Sequence, residues 1–298
     1  MKDLIIIGAG PGGVTAAIYA KRSNLDLLVF EKNCVGGNVV NAFEIENYPG
    51  VGKIVGADLS INFLNELDAL GIEVNYEEIK EVKKIDDHFK VVTTDDIVYE
   101  AKKVLLALGT KARKLNLENE DALLARGVSF CATCDGAFYK NKTVLVVGGG
   151  NSALTEAMYL SNIASKVYVI TRHELKGTKK EIDELKGKKN VEVIEFKQIK
   201  ELVSENKHLK SVILFDTNTN EEMKLDVDGV FVYIGQIPQT GFLSNLGILN
   251  QRGFINVDKH FETSVKGLFA IGDCIDKEVR QIATAVGDAA TAIHYLEK

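Results

Sequence analysis

Two cysteines two residues apart, Cys131 and Cys134, can close a small disulfide ring and open it again by taking up two electrons. Asp135 follows at once and can serve as acid or base if its pKa is raised; the plainer role for an aspartate before Gly136 is a turn or helix cap. The other two cysteines, Cys34 and Cys274, lie far away, and Cys34 reads as a small buried residue or an ordinary thiol. Zinc would need two further ligands at ordinary spacing, and none of the five histidines is near the motif, so no metal is expected. What remains is a redox dithiol.

The dithiol lies between two glycine-rich loops, Gly8-Ala9-Gly10-Pro11-Gly12-Gly13 and Gly148-Gly149-Gly150-Asn151-Ser152-Ala153. In the first, Gly8 permits a tight turn, Gly10 lets the backbone approach a pyrophosphate, and Gly13 lets helix and strand pack closely. A helix N-terminus then offers partial positive charge to the phosphates, and Glu31 can accept from ribose hydroxyls. Gly8 to Glu31 is a step of 23 residues, and the same step from Gly148 lands on Thr171. The second loop thus lacks the acid that would hold a ribose 2′-OH. Arg172, His173, Lys176, Lys179 and Lys180 follow, a basic stretch able to receive a 2′-phosphate, which favours NADP over NAD; the alternative is a solvated basic loop. A dithiol between two dinucleotide sites suggests a reductase that passes two electrons from a cofactor to a disulfide.

The elements that must position these residues follow from the pattern. Asp3 to Gly8 reads as a strand buried on both faces, Val14 to Arg22 as a helix, and Leu25 to Phe30 as a second strand. Gly56 to Leu70 has helical periodicity, Glu73 to Tyr99 looks like several short strands, and Lys103 to Gly109 is another buried strand. The unit repeats as a strand at Thr143–Val147, a helix at Leu154–Leu160 and a strand at Lys166–Ile170. Further strands are expected over Asn190–Lys200 and His208–Phe215, an apolar run over Val230–Gly235, a strand and glycine-acid turn over Gly267–Asp273, and a C-terminal helix over Arg280–Leu296. The fold expected is α/β, with two Rossmann-like dinucleotide-binding domains, the second inserted in the first: a discontinuous domain of residues 1–112 and 242–298, and an inserted domain of residues 113–241.

A chain of 298 residues suits two domains, and 46% hydrophobic with 26% charged residues is an ordinary globular composition. The net charge of -6 argues against a nucleic-acid partner, which needs a basic footprint. No apolar run approaches the roughly 20 residues that span a bilayer, so no membrane association is expected. Gly8 ends the apolar Leu4–Ile7 stretch too soon for a signal-peptide core, which makes a cytoplasmic location the expectation.

Taken in order along the chain, the residues resemble the low-molecular-weight flavin thioredoxin reductases. The resemblance is carried by Gly8 to Gly13, Glu46-Asn47-Tyr48-Pro49-Gly50, Cys131-Ala132-Thr133-Cys134-Asp135-Gly136, Gly148 to Ala153, Tyr233-Ile234-Gly235, Ala270-Ile271-Gly272-Asp273 and Arg280-Gln281. It implies FAD held by Gly8, Gly10, Pro11, Gly12, Gly13 and Glu31, by Gly37, Asn38 and Asn47, by Gly109, and by Gly272, Asp273, Arg280, Gln281 and Ile282. NADPH would lie against Gly148, Gly150, Asn151, Ser152, Ala153 and Arg172. It also implies that Cys134 takes electrons from the flavin, Cys131 attacks a thioredoxin disulfide and Asp135 handles protons. A homodimer and a swinging small domain are implied too. There are departures. Asn38 stands where the family commonly has glutamine, and Thr171-Arg172-His173-Glu174-Leu175-Lys176-Gly177 replaces the His-Arg-Arg-x-x-x-Arg signature of NADPH users. A subgroup takes electrons from ferredoxin, so the donor expected is NADPH or reduced ferredoxin. Rival readings are a flavin partner of a peroxiredoxin or glutaredoxin-like protein, and a flavin redox sensor without turnover.

Overall fold

The computed structural model describes residues 1–42 and 44–297. The chain folds into two compact units, Met1–Lys111 with Ile237–Lys298, and Ala112–Gln236. Among the described residues no helix is long and apolar enough to cross a membrane.

The first unit opens with β1 (Lys2–Ile7), α1 (Pro11–Arg22) and β2 (Leu27–Phe30), then α2 (Gly56–Ala69), β3 (Val74–Asn75), β4 (Ile79–Ile85), β5 (His88–Thr93), β6 (Val98–Leu106) and short β7 (Thr110–Ala112). Strand order is β3-β2-β1-β6-β5-β4, parallel from β3 to β6 and antiparallel beyond. Alternation along β1 divides its side chains between two cores: Leu4 and Ile6 pack with α1 and α2, Ile5 and Ile7 with the β4–β5 side. The helix of this unit begins at Pro11 rather than Val14, since a proline at the first helical position gives up no hydrogen bond.

The second unit runs through β8 (Val128–Ser129), α3 (Ala132–Asp135), β9 (Thr143–Val147), α4 (Asn151–Ser161), β10 (Lys166–Thr171), α5 (Lys179–Lys186), β11 (Val191–Glu195), β12 (Lys197–Glu205), β13 (His208–Asp216), β14 (Glu222–Asp226) and β15 (Gly229–Val232), and short β16 (Gln236–Pro238) carries the chain past its last residue. A parallel sheet of order β11-β10-β9-β15-β8 carries helices on one face and the antiparallel β12-β13-β14 sheet on the other. Val144 and Val146 face α4, and Leu145 and Val147 face the β12–β14 sheet. The expected strand over Asn190–Lys200 is two strands, because Phe196 takes a left-handed φ of 59° between them. The basic loop is partly helix: Thr178 accepts from Glu181 N while Glu181 accepts from Thr178 N, a reciprocal cap that starts α5 at Lys179.

The chain then returns to the first unit with β17 (Leu268–Ala270), which pairs with the Val104–Leu106 end of β6, and α6 (Ile282–Leu296). Arg280 and Gln281 precede α6 rather than belonging to it, and Gln281 is its N-cap.

Candidate active site

In the first unit, Gly8 has φ 102°, and a Cβ there would lie 2.3 Å from Ala107 O. A Cβ on Gly13 would lie 1.8 Å from Gly8 O, so the helix can start this close to the strand only without a side chain at either position. At Gly12 a Cβ would come 3.3 Å from Ala285 O, which places the start of α1 against the start of α6. Gly37 and Gly10 also approach closely, a Cβ on Gly37 falling 3.4 Å from Gly10 Cα. Pro11 is the first residue of α1 and Ile282 the first of α6.

Glu31 follows β2 with its carboxylate turned onto the glycine loop: Ala9 N donates to Oε2 and Asn33 N to Oε1, both at 2.9 Å. Asn38 donates through Nδ2 to Thr110 O at 2.8 Å, and Asn47 Nδ2 to Gln281 Oε1 at 3.2 Å. Gly109 has φ 63° and open space where a Cβ would be. Near the start of α6, Gly272 N donates to Asp288 Oδ2 at 3.0 Å, and Lys277 Nζ bonds the same oxygen at 2.6 Å. Arg280 donates to Asp273 O and Ile275 O, and its guanidinium lies 4.5 Å from the Phe254 ring centre. Burial pushes the Asp273 carboxyl up, against the opposing pull of Lys277 and Arg280. The Lys277–Asp288 pair holds the Gly272 amide, and no motif in the sequence marks it.

Of the remaining cysteines, Cys34 is exposed, so it is an ordinary surface thiol and not a small buried residue. Cys274 is buried, its thiol donates to Ile271 O at 3.2 Å, and burial pushes its pKa up to about 11, which makes it inert as a nucleophile.

In the second unit Cys131 and Cys134 are joined as a disulfide with Cα atoms 5.3 Å apart, spanning the short helix α3. Asp135 ends that helix, with its N–H donating to Cys131 O at 3.0 Å. Ser129 ties the turn together: its hydroxyl donates to Asp135 Oδ2 at 2.6 Å and accepts from Cys131 N at 3.1 Å. Burial pushes the Asp135 carboxyl above its ordinary value, and the Ser129 bond offsets part of that rise. Tyr233, past the end of β15, accepts from Ala132 N through its hydroxyl. Ser129 and the Tyr233 hydroxyl were not assigned roles from sequence, because their contacts join residues far apart in the chain or buried in strands.

The second glycine loop repeats the first. Gly148 has φ 144°, and a Cβ there would meet Tyr233 O at 2.3 Å; Gly150 is open, Asn151 and Ser152 are exposed at the start of α4, and Ala153 is buried. Thr171 occupies the place that Glu31 holds in the first unit, but it is buried against Gly149, whose Cβ would fall 2.4 Å from Thr171 Oγ1. Arg172 and His173 are exposed, Lys176 N donates to Gly149 O at 2.6 Å, and Leu175 N donates to Glu195 Oε1 at 3.0 Å. The segment after β10 is therefore folded back over the loop. Among the described residues no cluster of His, Cys, Asp or Glu is arranged to hold a metal ion.

A family model described as pyridine nucleotide-disulphide oxidoreductase matches residues 2–289. A thioredoxin reductase of Bacillus subtilis (strain 168) is 43% identical over 304 residues, covering 99% of this chain and 95% of the relative. One of Listeria innocua is 42% identical over 292 residues, covering 97% and 91%. A solved thioredoxin reductase from Streptococcus pyogenes MGAS5005 superposes with a TM-score of 0.93 at 40% identity, covering 100% of this chain and 97% of that one.

Proposed function

The chain belongs to the pyridine nucleotide-disulphide oxidoreductase family and is an oxidoreductase of the thioredoxin reductase kind; from that premise we propose how its own residues divide the work. The first unit holds FAD, and the second holds NADPH and the dithiol. The first glycine loop suits a dinucleotide because Gly8 and Gly13 leave a backbone cradle that a Cβ would fill, with Glu31 beside it and two helix starts meeting at Gly12. Gly37, Asn38, Asn47, Gly109, Asp273, Arg280 and Gln281 lie in the same unit and complete the set. When bound, the flavin supplies two-electron transfer between a nicotinamide and a disulfide.

The protein chemistry is thiol–disulfide exchange. The Cys131 thiolate attacks one sulfur of a thioredoxin disulfide, a mixed disulfide forms, and one thioredoxin thiolate leaves. The Cys134 thiolate then attacks Cys131 Sγ, which releases thioredoxin as a dithiol and restores the Cys131–Cys134 disulfide. Asp135, held in its neutral form to higher pH by burial, gives the proton the leaving thiolate needs. The disulfide-bonded Cys131–Cys134 turn, with Asp135 tied to it through Ser129, is the observation that carries this assignment.

For the donor, the observation favouring NADPH is the intact Gly148 to Ala153 loop. The observation favouring a protein donor such as reduced ferredoxin is that one arginine, Arg172, stands alone at the 2′-phosphate position, and a lysine does not replace the bidentate fork. The test is anaerobic titration of the yellow protein, following flavin absorbance with NADPH, NADH and reduced ferredoxin in turn. Rapid bleaching by NADPH supports the nucleotide site, and bleaching by ferredoxin alone overturns it.

A further inference from the structure

Between the two cysteines stand Ala132, which is buried, and Thr133. The Thr133 hydroxyl oxygen lies 3.4 Å from Cys131 Sγ, within hydrogen-bond reach of sulfur. A disulfide sulfur carries no hydrogen, so here the hydroxyl is the donor and the sulfur the acceptor. The turn around this contact is fixed by other bonds. Cys131 N donates to Ser129 Oγ at 3.1 Å and Ala132 N to the Tyr233 hydroxyl, so both amides are already spent. Asp135 N donates to Cys131 O at 3.0 Å, which closes the turn that carries Thr133. α4 backs it: a Cβ on Gly136 would come 3.1 Å from Tyr159 and 3.2 Å from Leu160, both on that helix.

We propose that Thr133 is a catalytic residue of the dithiol: its hydroxyl donates to Cys131 Sγ and stabilises the thiolate that this sulfur becomes when the pair opens. The inference rests on the reading of Cys131 and Cys134 as a working redox pair with Cys131 as the attacking sulfur. A neutral sulfur is a weak acceptor and a thiolate a strong one, so a contact that does little in the disulfide becomes a charge-assisted bond after reduction. When a dithiothreitol thiolate bonds to Cys134 Sγ, the S–S bond breaks and Cys131 Sγ leaves with the bonding pair, and the hydroxyl meets that charge as it forms. The second dithiothreitol thiol then closes its own ring and frees Cys134. In the opposite direction the Cys131 thiolate spends its charge in a bond to one thioredoxin sulfur, and the other thioredoxin sulfur leaves with the pair. A larger thiolate population at neutral pH gives Cys131, rather than Cys134, the first attack.

The test reads the thiolate at Cys131 directly. In the full-length flavoprotein carrying Cys134→Ser, Cys131 is the one thiol left in the motif. This parent is reduced, freed of reductant without air and alkylated with iodoacetamide over a range of pH. The rate is followed on the Cys131 peptide by mass spectrometry, with the peptide of the exposed Cys34 as internal reference. The other titratable groups around the turn are Asp135, Tyr139, Tyr233 and, on α4, Glu156; burial pushes all four up, and all four are the same in every variant compared. Thr133→Val keeps the shape and removes the hydroxyl. Its profile should move to higher pH, so that the thiolate fraction at a fixed pH on the lower limb falls about tenfold, the weight of one hydrogen bond to a charged group. Thr133→Ala should do the same and is carried in case valine packs poorly, while Thr133→Ser keeps the donor and should stay within about twofold of the parent. A profile for Thr133→Val or Thr133→Ala that coincides with the parent's overturns the inference. So does a Thr133→Ser profile displaced as far as theirs, since side-chain shape and not the hydroxyl would then be responsible. Because no thioredoxin or nucleotide enters this measurement, it can succeed or fail whether or not the proposed substrate is right.

Discussion

Asp135 is held between two opposed influences, burial that favours its neutral form and a Ser129 hydroxyl that favours its charge. Asp135→Asn keeps the shape and removes the proton, so turnover with thioredoxin should fall by about 100-fold while the flavin spectrum is unchanged. Ser129→Ala removes the bond that stabilises the carboxylate. The carboxyl then holds its proton to still higher pH, and the alkaline limb of the thioredoxin-reduction profile should move upward; a downward move would mean that Asp135 is not the group titrating. The cysteines differ in role. Cys134→Ser leaves an attacking thiol with nothing to resolve it, and the mixed disulfide with thioredoxin should accumulate on a non-reducing gel. Cys131→Ser should give none. The chemistry at this scale was largely legible in the sequence, since two cysteines, an aspartate and a glycine in a row carry their own meaning. The partners were not. Ser129 and Tyr233 are joined to the motif through hydrogen bonds that spacing along the chain does not announce.

The strand–glycine–helix element is the part that the sequence describes best, because steric exclusion at Gly8 and Gly13 leaves no room for a side chain. Gly13→Ala would place a carbon 1.8 Å from Gly8 O, so the strand and helix must separate. This variant should lose flavin on purification and unfold at least about 2 kcal/mol more easily, read from bound absorbance and thermal melting. The same reasoning explains where element boundaries moved. Helix starts fell earlier than the apolar pattern alone indicates, at Pro11 and Asn151, because polar and proline residues begin helices as well as apolar ones do. The lysines after Thr171 look like a loop by charge, yet Thr178 and Glu181 cap a helix there. Thr178→Ala should cost about 1 kcal/mol and leave thioredoxin reduction unchanged at ordinary temperature.

At the scale of the molecule the chain leaves the first unit at Lys111 and returns at Ile237. Arg113 N donates to Gly235 O at 2.9 Å, so the two ends of the second unit are tied to each other. With its ends joined and apolar cores on both faces of its parallel sheet, the segment of residues 112–236 should fold when expressed alone, with a single cooperative melt and the Cys131–Cys134 disulfide intact. The duplication was visible as two glycine loops, each 23 residues before the position compared in the two units, Glu31 and Thr171. The two loops differ visibly too: Glu31 is turned onto its loop, and Thr171 is buried against its own. What sequence could not convey is how the segment from Arg172 to Lys176 folds back on Gly149, since that depends on a backbone bond between residues 27 apart.

On the proposed mechanism the Cys131–Cys134 pair passes its electrons to a thioredoxin disulfide. The most direct measurement is a single turnover without any nucleotide. The protein is reduced with dithiothreitol, freed of it under anaerobic conditions, mixed with oxidised thioredoxin and quenched by alkylation. Two thiols should appear on thioredoxin as the Cys131–Cys134 disulfide re-forms, and Cys131→Ser should transfer none. Thioredoxin left oxidised by the reduced parent protein, or reduced equally well by Cys131→Ser, would contradict it.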